Sequence, residues 1–235
     1  MVNHFLASRC PDPELMDLRR PPREQLEHFY RFLRFVNATL GGTRAIRRAL
    51  EDFSIDWPKD RPLWILDVAT GSADVPRALV AWARAKGFRL KVVGIDREAD
   101  TLALARRHVQ GYPEILLVQA AAQALPFFDG HFDYVISNLF FHHLKDGEAV
   151  SLLRQFDRLA RRGIVVNDLV RRRRLYRWTH LLSLFCNPPL RYDNLLSVRK
   201  SFTLSEARSL IYQAGLRYLT VRAVFGHRFI LAGAK

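Results

Sequence analysis

Three sets of residues in this chain are spaced so that they can do chemistry. The first is a pair of carboxylates that close apolar runs. Ile65-Leu66-Asp67-Val68-Ala69-Thr70-Gly71-Ser72-Ala73-Asp74 passes from a strand-like run through an acid into a loop of small residues, and Lys91-Val92-Val93-Gly94-Ile95-Asp96 ends a second run on another acid. A strand, a tight small-residue turn and a helix N-terminus in series make a site for a nucleotide-like cofactor. Two strand-end carboxylates beside that turn can hold ribose hydroxyls and a cationic amino group. The second set is the histidine pair in Phe140-Phe141-His142-His143-Leu144, where a neutral imidazole can act as a general base. The third is Asp168, which ends a further apolar run just before Arg171-Arg172-Arg173-Arg174. It faces either a ligand in the crevice at the strand ends or those arginines.

The elements that position these residues follow from periodicity. Apolar runs at about 63–67, 90–95, 115–119, 132–137 and 163–167 are predicted as buried strands, with helical patterns between them at about 74–86, 98–110 and 147–160, the last with Asp146 as its N-cap. Such alternation implies a parallel sheet covered on both faces. A helix over 203–214 and two strand-like runs, 216–224 and 227–233, close the chain. These runs meet at Gly226 with too little connection for a parallel crossover, so they form an antiparallel hairpin. Residues 1–60 read as a separate helical cap with patterns at about 24–39 and 43–53. The stripe Leu26, Phe29, Tyr30, Leu33 and Val36 packs on the rest or serves as a lid, or both. Residues 61–235 form the α/β domain, with an apolar helical insert at about 171–200.

The 235 residues suffice for one substantial core. Cys10 and Cys186 lie far apart without metal-ligand spacing, and no metal site is expected. No apolar stretch approaches a membrane span or a signal peptide, so a cytoplasmic protein is expected. The net charge is +14, and thirty-one of the 37 basic residues are arginine. That balance suits a polyanion partner, or else a compositional bias spread over solvated helix faces.

These motifs resemble the class I S-adenosylmethionine-dependent methyltransferases, in the small-molecule branch that includes quinone-biosynthesis methylases. Asp67-Val68-Ala69-Thr70-Gly71-Ser72-Ala73 stands where that family has an acid followed by a glycine-rich loop. Alanines replace two of the glycines, which is expected to make the turn less tight. The resemblance implies a Rossmann-like seven-stranded, mostly parallel sheet of order 3-2-1-4-5-7-6 with a terminal antiparallel hairpin and an N-terminal helical lid. It implies S-adenosyl-L-methionine as cofactor, with Asp67, Ala69, Thr70, Gly71 and Ser72 at the loop, Asp96 on the ribose and Arg97 beside the adenine. The segment Ala120 to Phe127 stands at the third motif, putting Ala121, Ala122 and Gln123 by the adenine with Ala121 replacing the usual acid. Asn138 and Leu139 fall beside the sulfonium. A nicotinamide dehydrogenase would need a Gly-x-Gly-x-x-Gly turn, and only Gly71 is present.

Methyl transfer from a sulfonium is an in-line displacement, so the protein aligns the partners and excludes water. His142 is the candidate base and His143 the more architectural of the two, although both are catalytic candidates. Tyr30, His142, Asp168 and Trp178 are candidate substrate contacts, because the aromatic stripe and the insert roof an apolar pocket from two sides. A phenol, quinol or polyketide-like acceptor is expected. The basic segment 171–185 also suits an anionic membrane surface. The alternatives are an RNA or other nucleic-acid methyltransferase and a non-catalytic partner protein with this fold. Against the former, Asn187-Pro188-Pro189-Leu190 falls too late in the chain to be the amino-methylase motif and reads as a loop, so a nucleic-acid partner is not expected. The sequence does not fix an oligomeric state.

Overall fold

The computed structural model describes residues 6–18 and 22–235. At its centre lies β1 (Leu63–Val68), buried at every position but Trp64, as a parallel strand covered on both faces must be. On its two sides β2 (Leu90–Asp96), β3 (Ile115–Gln119), β4 (Phe132–Asn138) and β5 (Ala160–Leu169) complete a run of parallel strands. β6 (Thr220–Val224) and β7 (Arg228–Ala234) form the expected hairpin, and β7 lies antiparallel beside β5. The resulting order, β3-β2-β1-β4-β5-β7-β6, is the one that the family resemblance implies. The hairpin turns at Gly226 (φ 81°), where a Cβ would come within 1.9 Å of the Leu40 carbonyl oxygen, so only glycine fits.

Side-chain alternation along the strands divides the core in two. Leu66, Val93 and Val135 face α6 (Asp146–Leu159) and α9 (Leu204–Ala214), while Ile65, Val92 and Ile136 face α3 (Gly42–Phe53) and α4 (Asp74–Ala85). Lys145, rather than Asp146, occupies the cap of α6. Asp146 is its first helical residue, and the Lys145 amide donates to Glu148. Thr203 caps α9 and exchanges hydrogen bonds with Glu206. α3 therefore belongs to the sheet's helical layer. Of the helices in the first sixty residues, α1 (Leu15–Leu18) and α2 (Arg23–Thr39) contribute described residues to the roof over the strand ends. α5 (Ala99–His108) follows β2, and the insert is α7 (Arg173–Leu182), a 3-10 turn at Ser183–Phe185 and α8 (Pro188–Lys200). Asn187 caps α8 by accepting from the Leu190 amide, so Asn187-Pro188-Pro189 is a helix start with proline in its first turn.

Candidate active site

A cavity of about 470 Å³ opens at the carboxyl ends of β1, β2 and β4. Its lining runs against the chain's charge: Glu14, Asp67, Asp74, Asp96, Glu98 and Asp100 face one arginine, Arg97, and His143. The β1 turn is tightly tied to both acids. Thr70 Oγ1 donates to Asp67 Oδ2 at 2.6 Å, the Gly71 amide donates to Asp96 Oδ2 at 3.0 Å, and the Glu98 amide donates to Asp96 Oδ1 at 3.1 Å. Asp67 Oδ1 is buried with no hydrogen-bond partner. Burial pushes the Asp67 carboxyl up to about 7 and raises Asp96 as well. The set suits a ligand with a cationic end for Asp67 and hydroxyls for Asp96, whose oxygens retain lone pairs.

The loop alanines do not loosen the turn, contrary to the expectation from their types. Ala69 and Ala73 adopt φ of 59° and 57°, the left-handed conformation that glycine takes cheaply. Each costs about 1–2 kcal/mol, stored where the backbone meets the cavity. Gly71 (φ 54°) is glycine for a further reason: a Cβ there would come within 3.0 Å of the Tyr30 ring. Tyr30 reaches the loop from α2 and shares a hydrogen bond with Thr101 at 3.2 Å. Leu139 leaves β4 at φ 55°, and its amide donates to the Asn167 carbonyl.

A second cavity, of about 130 Å³, adjoins the first, and Glu14, Phe29, Leu33, Leu139 and His143 line both. Its walls are mainly apolar, from Phe32 and Val36 of α2 and from Leu175 and Leu182 of α7, with His142 and Arg228 among them. His142 is buried, and Asp168 holds it. The His142 amide donates to Asp168 Oδ2 at 2.9 Å, and the ring Nδ1 lies 2.7 Å from Oδ1. With Nδ1 protonated, as that carboxylate demands, Nε2 is the ring's basic nitrogen and lies 3.8 Å from Glu14 Oε1. Burial opposes ionisation of Asp168, but the His142 imidazole and the amides of Leu169 and His142 hold its carboxyl below the usual range. Glu14, His142 and His143 bring ligand-type atoms within 4.8 Å of one another, and Glu14 also accepts from Ser197 and lies 3.8 Å from the Lys200 ammonium.

Of the residues singled out from sequence, Asp67, Ala69, Thr70, Gly71, Ser72, Asp96, Arg97, Ala122, Gln123, Asn138, Leu139, Tyr30 and His143 all line the first cavity. Three expectations are corrected. Ala121 is exposed and lines neither cavity, because Ala120 and Ala122 take the inward positions on either side of it. Asp168 is fully buried behind His142, so it is a positioning residue rather than a substrate contact, and it forms no ion pair with Arg171, which bonds Glu206 and the Ser201 carbonyl. Trp178 is 57% exposed on the outer side of α7, whose inner side supplies Leu175, Thr179 and Leu182. His143 faces both cavities, and His142 faces only the smaller one. Sequence reasoning missed Glu14, which lies in a proline-rich stretch without periodicity. It also missed Arg228, which one more arginine in an arginine-rich chain did not advertise.

Residues 65–163 match a family model described as a methyltransferase domain. A demethylmenaquinone methyltransferase of Lysinibacillus sphaericus is 29% identical over 175 residues, covering 68% of this chain and 73% of that protein. The Thermus thermophilus protein of the same name is 39% identical over 103 residues, 43% of this chain and 44% of its own length. Among solved structures, a SAM dependent methyltransferase from Aquifex aeolicus superimposes with a TM-score of 0.62 over 92% of this chain and 99% of that one, at 16% identity, a likeness of fold.

Proposed function

We propose that this chain, a class I S-adenosylmethionine-dependent methyltransferase, methylates a small aromatic or quinol-like acceptor seated in the apolar cavity beside the acidic cleft. The observation that carries this reading is the shared wall of the two cavities: an acidic, hydroxyl-binding cleft and an apolar pocket meet at Leu139 and His143. When bound, S-adenosyl-L-methionine supplies an electrophilic methyl on a positively charged sulfur. The unpartnered Asp67 Oδ1 suits its amino group, Asp96 its ribose hydroxyls, and the turn Ala69-Thr70-Gly71-Ser72 its methionine part. Ala122, Gln123 and Arg97 would hold the adenine end, and Asn138 and Leu139 the sulfur end, of the same cavity. That two quinone methylases are among the relatives supports a quinol-type acceptor.

The chain's own contribution is alignment, exclusion of water and proton removal. His142, held by Asp168, takes the acceptor's hydroxyl proton at Nε2, and the imidazolium that forms lies between two carboxylates, Asp168 and Glu14. Residues 1–60 contribute the lid through α1 and α2, with Tyr30 over Gly71. The outer side of the insert suits an anionic bilayer: Trp178, Leu181, Leu184 and Phe185 are exposed beside the exposed Arg172, Arg173, Arg174 and Arg177. Among the described residues, no helix is long and apolar enough to cross a membrane.

Calorimetry with S-adenosylmethionine and S-adenosylhomocysteine tests the reading. Saturable binding is expected, weakened at least about tenfold in Asp96→Ala through loss of charge-assisted hydrogen bonds. Absence of binding by either ligand to the folded protein would end it.

A further inference from the structure

The smaller cavity carries a charge that nothing so far uses. Arg228 opens β7, paired with Leu169 of β5, and is 1% exposed in a mainly apolar wall that includes Phe32, Leu33, Val36 and Leu175, with the carboxylates of Glu14 and Asp193 also lining the cavity. Its nitrogens meet only neutral groups. Nη2 donates to Asn37 Oδ1 at 3.3 Å, and Nη1 lies 3.2 Å from the Asn167 amide oxygen when that amide is turned toward it. Nε is buried with no hydrogen-bond partner. Among the described residues no carboxylate forms an ion pair with it. The nearby acids are committed elsewhere, Asp168 to His142 and the Leu169 amide, Asp74 to Asn37 and Ser72. Burial lowers the guanidinium to about 10, which leaves it cationic at neutral pH.

A buried cation without a direct ion-pair partner is disfavoured even where, as here, the Asp168 and Asp74 carboxylates attract it from a distance, and an anion seated against the guanidinium would complete it. An arginine also offers a rigid fork suited to planar oxyanions. We propose that Arg228 is the oxyanion receptor of the acceptor cavity, so that the acceptor carries an ionisable oxygen (phenolate, enolate or carboxylate) seated against this guanidinium. This rests on the smaller cavity's being the acceptor site. For a phenol or enol the steps balance within the cavity: the proton passes to His142 Nε2, the electron pair stays on oxygen, and Arg228 neutralises it. A carboxylate needs no proton transfer to bind.

Matched probes test the proposal by calorimetry at pH 8 with saturating S-adenosylhomocysteine: 2-naphthoate against its methyl ester, and ionised 4-nitrophenol against nitrobenzene. We expect at least one anion to bind about tenfold tighter than its neutral match in the native protein. In Arg228→Gln the gap is expected to close to within about threefold, with S-adenosylhomocysteine affinity unchanged. Preference for naphthoate alone assigns a carboxylate, and for nitrophenol alone a phenolate. Should Arg228→Gln fail to fold, Arg228→Lys, which keeps the charge and loses Nε, must still narrow the gap. Equal affinity for both members of both pairs, no binding of any probe, or an undiminished gap in the variants overturns the proposal. Loss of S-adenosylhomocysteine binding by the native protein would instead defeat the cofactor reading.

Discussion

Asp67→Asn is expected to make the ligand-free protein more stable at pH 8 and less able to hold its cofactor. Asp67 is buried, and its carboxyl is raised to about 7 from the ordinary 3.8. The folded state therefore holds the proton more tightly than the unfolded chain does. That contribution is fully present below pH 3.8 and is lost as pH rises through about 7. Three units at about 1.4 kcal/mol each set a ceiling of about 4 kcal/mol by pH 8. At pH 5 the unfolded carboxyl is largely ionised and the folded one is not, and the same linkage costs only about 2 kcal/mol. Asparagine removes this term but sets an amide N–H where Oδ1 lacks a partner, which costs about 1–3 kcal/mol. The net expectation is a gain of about 1–3 kcal/mol at pH 8 and little change at pH 5. That corresponds to a rise of several degrees in Tm at pH 8 for a chain of this size. Urea titrations of both proteins at both pH values measure it. A stability difference that is the same at pH 5 and pH 8 would refute the reasoning, because only titration of Asp67 makes it depend on pH. The same variant should bind S-adenosylmethionine at least about tenfold more weakly, having lost the countercharge for the amino group.

Other consequences can be checked separately. Ala69→Gly should stabilise by about 1 kcal/mol by relieving a positive φ; Ala73→Gly, which also removes a fully buried methyl worth about 0.8 kcal/mol, should be near neutral in the same denaturation assay. Asp168→Asn should lower kcat about 10²–10⁴-fold, because His142 loses the carboxylate that fixes its tautomer, with S-adenosylhomocysteine affinity retained in calorimetry. Gly71→Ala should weaken cofactor binding by forcing both backbone strain and a clash with Tyr30, and Tyr30→Ala in that background should recover part of the loss. Charge reversal at Arg172, Arg173, Arg174 and Arg177 should abolish sedimentation with phosphatidylserine vesicles and its salt sensitivity, while unchanged sedimentation would remove the bilayer contact.

The sheet was legible because its residues speak locally. Runs such as Leu63–Val68 are apolar on both faces, the helices between them are amphipathic, and the missing crossover at Gly226 leaves only a hairpin. The acidic cleft was legible for the same reason, since its residues sit at strand ends close in sequence to their turns. Ala121 failed by one register position, because periodicity in a loop does not say which alanine faces in. Trp178 failed because a helix that is apolar on both sides does not declare which side packs. Asp168 was assigned to the right end of the sheet, but its neighbour His142 comes from another strand's loop, and no local pattern encodes that contact. Glu14 and Arg228 enter the site only through tertiary packing, Glu14 through contacts with α8 at Ser197 and Lys200, Arg228 through Asn37 of α2.

Methyl transfer itself is the decisive measurement. The purified protein is incubated with S-adenosylmethionine labelled in its methyl group and a panel of phenols, quinols, aromatic carboxylic acids and RNA. We expect label in organic-extractable aromatic products, none in RNA, and loss of the signal in His142→Ala without loss of S-adenosylhomocysteine binding. Label in RNA alone, or near-normal turnover by His142→Ala across pH, would contradict the assignment of the acidic cleft and the apolar cavity to one small-molecule methyltransferase site.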